Sequence, residues 1–338
     1  MKKIAYSILD LAIVSQGNTF TETFNNSLEL AQESEKVGYK RYWLAEHHNS
    51  EVIGSSATSI LIGKIAEGTK HIRVGSGGIM LPNHSPLIIA EQFGTLGTLY
   101  PDRIDLGLGR APGTDPETSK AIRSDFYKAV QDFPEEVQKI QNYFSYENTT
   151  EKVRAPMAEG LNVPLYILGS STDSAHIAAK KGLPYAFASH FSTAQLMNAA
   201  ETYQNEFQPS TTLKKPYILA GVNIIVADTD EEAERISTSL YKTVMGIISG
   251  KSGSMEAPVE MTDNIRELKK NPAVNQVLKY SFIGSKETVK NEIKVFMSNI
   301  TVDELIAVTN IFDKDDRLKS YRLFSEIMRE LNGDTPIP

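Results

Sequence analysis

The sequence of 338 residues predicts an α/β protein built as a single (β/α)8 TIM barrel over residues 1–338. Short apolar runs alternate about eight times with longer segments of helical period, which is the pattern of repeated βα units. The length suits either two domains or one large barrel. The first βα turn, residues 9–18, lacks the glycine-rich fingerprint of a dinucleotide-binding fold, and this favours the barrel over a doubly wound sheet.

Each predicted strand is followed by a segment with helix start or stop residues. Thr19 and Glu22 have capping-box spacing, and Asp228 begins a second such box. Ser85 and Asp115 each precede a proline that suits the first helical position. The predicted strands are 3–9, 41–45, 71–81, 103–108, 163–168, 185–188, 217–227 and 304–308. The predicted helices are 19–37, 55–67, 85–100, 115–143, 172–181, 192–207, 228–248 and 315–331.

Two insertions hold the length that exceeds a minimal barrel. One covers residues 111–162, after strand 4, and the other covers residues 249–301, after strand 7. The second insertion opens with the segment SGKSGS, a flexible composition. Residues 249–280 are therefore a candidate lid over the barrel mouth, although a loop without that role fits the composition equally well.

Composition excludes several classes of protein. Lys and Arg total 35 against 42 Asp and Glu, and a net charge of −7 argues against nucleic-acid binding. Cysteine is absent, so disulfides, iron–sulfur clusters and a cysteine nucleophile are excluded. No apolar run reaches the ~18 residues that would cross a membrane. We expect a soluble cytoplasmic protein that acts on a small molecule.

Polar residues collect at the ends of predicted strands, where the active sites of barrels lie. Strand 2 runs into Glu46 and His47, and a histidine there can transfer protons near neutral pH, although a structural histidine bonded to a loop is an equal alternative. Strand 4 runs into Arg110, which suits an anionic ligand or a surface carboxylate. His84 and His190 also follow strands at the mouth. Histidine spacing gives no metal-binding motif, so we expect no metal.

Two segments predict close approach of a ligand to the backbone. Strand 3 contains Ser76, Gly77 and Gly78, and this glycine density implies a bulge or a planar ring lying on bare backbone. Strand 5 runs into the turn 169–175, GSSTDSA, which opens a helix. Its N–H groups and hydroxyls suit a phosphate, while an ordinary helix cap uses the same residue types. Strands 4 and 5 are neighbours, so Arg110 is expected beside this turn.

Three motifs resemble signatures of the bacterial luciferase-like flavin monooxygenase family. They are residues 42–49 (YWLAEHHN), 75–86 (GSGGIMLPNHSP) and 103–113 (RIDLGLGRAPG). They occur in the family's order, and the resemblance extends from residue 3 to about residue 330. The similarity is greater to single-gene members of mostly undefined substrate than to the luciferase α-type chain.

The resemblance implies a luciferase-like barrel that binds FMN, delivered in reduced form by a separate flavin reductase. It implies that His47, supported by Glu46, is catalytic, that the Gly77–Gly78 bond is a non-proline cis peptide beneath the flavin ring, and that Arg110 binds the phosphate. The implied reaction oxygenates a small organic substrate with O₂ through a C4a-peroxyflavin. The implied cofactor-binding residues are Ser76, Gly77, Gly78, Arg110, Gly169, Ser170, Ser171 and Ser174.

Two departures from the luciferase α-type chain argue against light emission. That chain has a reactive cysteine where this one has Gly109, and a carboxylate where this one has Ser170. Hydride transfer with the deazaflavin F420, a flavin-free phosphosugar enzyme and a non-catalytic flavin-binding protein remain alternatives. Relatives commonly form dimers, and residues 55–63 are a candidate dimer helix, although packing of its apolar face on the barrel explains the same pattern at least as well.

Overall fold

The structure, a computed structural model, describes residues 3–251 and 253–334. The strands are β1 (Ala5–Asp10), β2 (Arg41–Leu44), β3 (Arg73–Met80), β4 (Ile104–Gly109), β5 (Leu165–Gly169), β6 (Tyr185–Phe187), β7 (Ile218–Ala227), β8 (Ser281–Ser285) and β9 (Glu304–Val308). The helices are α1 (Phe20–Lys36), α2 (Thr58–Glu67), α3 (Pro86–Leu99), α4 (Pro116–Ile122), α5 (Phe126–Gln131), α6 (Phe133–Phe144), α7 (Thr172–Lys181), α8 (Leu196–Glu206), α9 (Asp230–Ile248), α10 (Asp263–Lys270), α11 (Pro272–Val277), α12 (Lys286–Asn299) and α13 (Lys314–Asn332).

Eight parallel strands close into the predicted (β/α)8 barrel. Their order around the barrel is β1, β2, β3, β4, β5, β6, β7 and β9, and β9 pairs with β1 to complete the ring. The prediction of the fold class is confirmed. The register between β3 and β4 shifts between Ser76 and Ile79, so the expected irregularity in the glycine-rich strand is present.

Alternation along the strands divides the core into two layers. Inward-facing side chains such as Leu9, Trp43 and Ile306 fill the barrel, while Ile8 and Tyr42 belong to the layer between strands and helices. Neighbouring residues point to opposite faces because a strand has a period of two. Burial on both faces is typical of parallel sheets covered by helices.

A charged cluster occupies the interior where the strands begin. The guanidinium of Arg41 donates to Asp105 at 2.6 Å, to Glu304 at 2.8 Å and to the hydroxyl of Tyr166 at 2.6 Å. Arg41 is only 2% exposed, and both carboxylates are fully buried. Arg73 donates to the other oxygen of Asp105 at 2.8 Å, so two guanidinium groups face the two carboxylates and balance their charge, as buried charges require. This end of the barrel interior is therefore filled by side chains.

The insertion after β7 contains regular structure that the prediction of a loop missed. Residues 249–301 include α10, α11, α12 and the ninth strand β8. That strand pairs with Asn223–Ala227, and residues 224–227 of this range extend beyond the pairing of β7 with β6 and β9. Within 249–280, Val274 and Leu278 pack with α9. No described residue of this segment lines the large cavity presented below, and its role as a lid stays a prediction.

Helix boundaries and caps also differ from the predictions, and α2 and α8 begin three and four residues later than predicted. The predicted helix 115–143 is divided into α4, α5 and α6, because Arg123 has extended backbone and a new helix begins at Phe133 with Pro134 in its first turn. Thr229 rather than Asp228 caps α9 by accepting from the Glu232 N–H. Ser85 precedes α3 without making a side-chain cap. No helix in the described part of the chain is both long and apolar enough to cross a membrane.

Candidate active site

A cavity of about 600 Å³ opens at the carboxyl ends of the barrel strands. It has the size of a cofactor or substrate site and the position where barrels carry their active sites. The predicted site residues that line it are His47, Gly77, Arg110, Gly169, Ser170, Ser171 and Ser174. Residues from all eight barrel strands or from the loops that follow them converge here. The cavity therefore lies where the sequence predicts the active site.

His47 connects the large cavity with a smaller polar one. Its side chain lines both, and the smaller cavity is also lined by Asn49, Ser50 and Glu51. Burial lowers the pKa of His47, and a hydrogen bond with the Gly113 backbone offsets only part of this effect. The imidazole is therefore mainly neutral at pH 7, with one nitrogen able to donate and the other able to accept.

Glu46 does not line the cavity, although it precedes His47. Its carboxylate accepts from Nε2 of His48 and Nε2 of His84, each at 2.8 Å, and from the Met80 N–H at 3.0 Å. Burial opposes ionisation, but these hydrogen bonds outweigh it and lower the pKa of Glu46 to about 2. None of its hydrogen bonds goes to His47. Glu46 was expected to support His47, but its hydrogen bonds instead connect the loop after β2 with the loop after β3.

Gly77 and Gly78 form a glycine wall on β3, and Gly77 presents bare backbone to the cavity. The Gly77–Gly78 peptide is cis, which confirms that prediction. A Cβ at Gly77 would approach Leu9 Cδ1 to 2.8 Å, so a side chain does not fit. Ser76 was predicted to bind the cofactor, but its hydroxyl is fully buried and bonds the carbonyl oxygen and the N–H of Gly107. Neither Ser76 nor Gly78 lines the cavity.

Arg110 and the serine turn meet at one side of the cavity. Nη2 of Arg110 lies 3.2 Å from Asp173, near the start of α7. Ser171 precedes α7 and makes no side-chain cap. A Cβ at Gly169 would stand 2.0 Å from the hydroxyl of Ser174, so glycine permits the close approach of strand and helix. The hydroxyl of Ser174 already donates to the Ser171 carbonyl oxygen at 2.7 Å and lies 2.9 Å from the Tyr185 hydroxyl. The guanidinium of Arg110, the hydroxyls of Ser170 and Ser171 and the start of α7 form a donor set that fits a phosphate.

His190 lines the cavity but is not among the predicted site residues. It follows β6, and its ring lies against β7, where a Cβ at Gly221 would be 2.7 Å from Nδ1. Burial lowers the pKa of His190 to about 3, with a smaller contribution from His47. His190 and His84 both follow a strand, a position that predicts a place at the mouth of the cavity. His190 lies there, whereas His84 bonds Glu46.

Further cavity residues were missed because they are apolar or distant in the chain. They are contributed chiefly by α5 and by the residue after His190. The main examples are Met80, Phe126, Tyr127, Val130 and Phe191. Met80 also explains Gly109, because a Cβ there would stand 2.9 Å from the thioether sulfur. Among the described residues, no group of three or more His, Asp or Glu side chains is arranged to hold a metal ion.

The chain belongs to the luciferase-like monooxygenase family, whose model matches residues 6–304. It is 43% identical to a protein of Escherichia coli (strain K12) named luciferase-like monooxygenase, over 98% of this chain and 99% of the relative. It is 31% identical to the N-acetyl-S-alkylcysteine monooxygenase of Bacillus subtilis (strain 168), over 96% of this chain and 98% of the relative. The predicted family is thereby confirmed.

Two solved structures have the same fold. Apo-MsnO8 has a TM-score of 0.88 at 31% identity, over 99% of this chain and all of the other. The oxygenating constituent of 3,6-diketocamphane monooxygenase from Pseudomonas putida, solved in complex with FMN, has a TM-score of 0.72 at 16% identity, over 99% of both chains. The second similarity concerns the fold alone.

Proposed function

We propose that this protein is an FMN-dependent monooxygenase, which uses reduced FMN and O₂ to oxygenate a small organic substrate. The observation that carries the proposal is the arrangement of one cavity. Arg110 and the serine turn supply a phosphate site, while the bare backbone of Gly77 and the imidazole of His47 line the same cavity. The phosphate and the ring of FMN require these two kinds of surface.

The residues present fit the cofactor. Arg110, Ser170 and Ser171 would hold the phosphate with a charge-assisted contact and hydroxyl donors. The Gly77–Gly78 segment would support the ring, since a side chain there would collide with Leu9. Reduced FMN, when bound, supplies the electrons that O₂ needs for oxygen insertion.

His47 is proposed to hold and move the proton during oxygen transfer. A mainly neutral imidazole can accept a proton and return it within one turnover. The neighbouring polar cavity gives the same side chain a second face for proton exchange. The apolar walls of the large cavity would exclude water from the reacting groups.

The chain requires a source of reduced flavin. We propose a separate flavin reductase as the functional partner, because the sequence lacks a dinucleotide fingerprint where a nicotinamide cofactor would bind. We also propose that the protein works as a homodimer, and the surface for this is argued in the Discussion.

Binding titrations test the cofactor. FMN should quench or shift its own fluorescence on binding to the wild-type protein, and Arg110→Ala should weaken FMN at least tenfold while affecting riboflavin, which has no phosphate, less than twofold. F420 is titrated in parallel. Tighter binding of F420 than of FMN would favour deazaflavin chemistry, and no binding of either would contradict the proposal.

Turnover is tested with a flavin reductase that supplies reduced FMN. Oxygen consumption and product formation should require wild-type His47, whereas His47→Asn should bind FMN normally and lose product formation. FMN binding with no oxygenated product from any compound in a broad screen would instead support a non-catalytic flavin-binding protein.

A further inference from the structure

The charge of the cavity is concentrated at one end. Among the described residues that line it, Arg110 is the one with a permanent charge. Its guanidinium already faces Asp173. In the proposed function this guanidinium binds the phosphate of FMN. No second lysine or arginine in the described lining is then left for an anionic group on a substrate.

The two histidines of the cavity are mainly neutral at pH 7. They approach the cavity from opposite walls, because β2 and β6 are four positions apart in a ring of eight strands. Burial lowers the pKa of both His47 and His190. Protonating either ring in contact with an apolar cavity would cost further desolvation.

The mouth of the cavity is formed by apolar and aromatic side chains. The short helix α5 contributes Phe126, Tyr127 and Val130, and Phe191 follows His190. Tyr127 is 66% exposed and Phe191 is 53% exposed, so two large rings at the mouth are uncovered. Uncovered apolar surface of this kind marks a place where an apolar partner gains free energy by burial.

An anionic substrate would therefore lose its hydration without gaining a partner. Burying a carboxylate or sulfonate without a cation or several donors is strongly unfavourable. Uncharged apolar groups would instead cover Tyr127 and Phe191. We propose that this cavity takes a neutral, apolar substrate and excludes the carboxylate or sulfonate of the same skeleton, an inference that rests on the proposed function because Arg110 is assigned to FMN.

A matched pair of probes tests this inference. The methyl ester of N-acetyl-S-benzylcysteine is neutral, and the free acid is the same skeleton with a carboxylate. Calorimetric titrations use FMN-loaded wild-type protein and, separately, FMN-free Arg110→Ala, in which the cation is removed. The ester should bind at least tenfold more tightly than the acid to both. Equal or tighter binding of the acid, or no binding of the ester up to its solubility limit, would overturn the inference.

A charge placed at the mouth provides the matched variant test. Val130→Lys should tighten binding of the acid at least tenfold relative to Val130→Gln, which has similar length and no charge. No difference between the two variants would contradict the charge argument. The FMN titration separates the two proposals: preference for the ester without FMN binding rejects the proposed function alone, and FMN binding with preference for the acid rejects this inference alone.

Discussion

The carboxylate of Glu46 lies 2.8 Å from Nε2 of His84, a residue that follows a different barrel strand. The same oxygen accepts from His48 on its own loop at 2.8 Å. Glu46 thus connects the loop after β2, which carries His47, with the loop after β3, which follows the glycine wall. The geometry of two walls of the cavity depends on one buried carboxylate.

We expect Glu46→Gln to destabilise the protein by about 2–3 kcal/mol, because hydrogen bonds to a charged and buried acceptor are lost. The pKa of Glu46 is lowered to about 2 from the ordinary value of 4.5. The stabilisation by the carboxylate is therefore present above pH 4.5 and is lost as the pH falls from about 4.5 to about 2.

Urea unfolding of wild type and Glu46→Gln over this pH range measures the effect. The difference in the free energy of unfolding should shrink on acidification. Glu51→Gln, on an exposed side chain five residues further along, is the control and should differ from wild type by less than about 0.5 kcal/mol. A constant difference between wild type and Glu46→Gln from pH 7 to pH 3 would contradict the role of the charge.

Gly169→Ala is expected to weaken FMN binding at least tenfold. The new Cβ would stand 2.0 Å from the Ser174 hydroxyl, so the turn that is proposed to hold the phosphate must move. Gly253→Ala is the control, because its Cβ would meet nothing within 4 Å. Fluorescence titration with FMN and with riboflavin checks the location of the effect, which should be much smaller for riboflavin. Unchanged FMN affinity in Gly169→Ala would show that the turn does not hold the phosphate.

The main features of the fold follow from local patterns in the sequence. Apolar runs and helix caps predicted all eight strands of the barrel to within a few residues, because burial and capping act over short stretches of chain. The strand β8 was not predicted because it lies outside the ring of eight strands and pairs with the end of β7 that extends past the other barrel strands. Only the three-dimensional pairing distinguishes it from a loop.

The cavity was predicted less completely than the fold. The end of each strand could be assigned to the mouth by topology alone, and this placed His47 and Arg110. Side-chain direction could not be assigned in the same way. Ser76 turns into the ladder with β4, and Glu46 turns toward His84, since these contacts depend on residues 31 and 38 positions away. The apolar walls from α5 gave no recognisable motif.

Residues 249–280 are expected to become more protected when ligands bind. The segment is connected to the loop after β6, where Thr193 donates to the Gln276 carbonyl at 2.6 Å and accepts from its side chain at 2.8 Å. Thr193 lies two residues beyond Phe191, which lines the cavity mouth. Hydrogen exchange with and without FMN should show slower exchange in 249–280. Equal exchange rates in both states would reject the lid.

Gln276→Ala offers a way to separate closure from binding. This substitution removes the side-chain hydrogen bond to Thr193 and keeps the one that the backbone carbonyl accepts. Its loss should raise the exchange rate of 249–280 and speed FMN dissociation severalfold, while the association rate changes little. Lys279→Ala, which removes a side chain from the same segment without touching Thr193, is the control. Similar FMN dissociation rates in Gln276→Ala and wild type would show that this segment does not retain the ligand.

The apolar surface formed by α2 and α3 is expected to be the contact between two copies of the chain. Ile60 on α2 is 72% exposed and Leu99 on α3 is 63% exposed, although both are large apolar side chains. The two helices lie side by side, because a Cβ at Gly63 would be 3.6 Å from Leu96. Their exposed apolar side chains therefore face solvent on neighbouring helices, and uncovered apolar surface favours association in water.

Ile60→Glu and Leu99→Glu should convert the proposed homodimer into a monomer, because each would bury a carboxylate in the contact. Val295→Glu is the matched control: Val295 is also 63% exposed but lies on α12, at a different part of the chain. Sedimentation velocity at micromolar concentration should give a dimer for wild type and Val295→Glu, and a monomer for the other two. A wild-type monomer, or dimers that persist in both Ile60→Glu and Leu99→Glu, would contradict the prediction that α2 and α3 form the dimer contact.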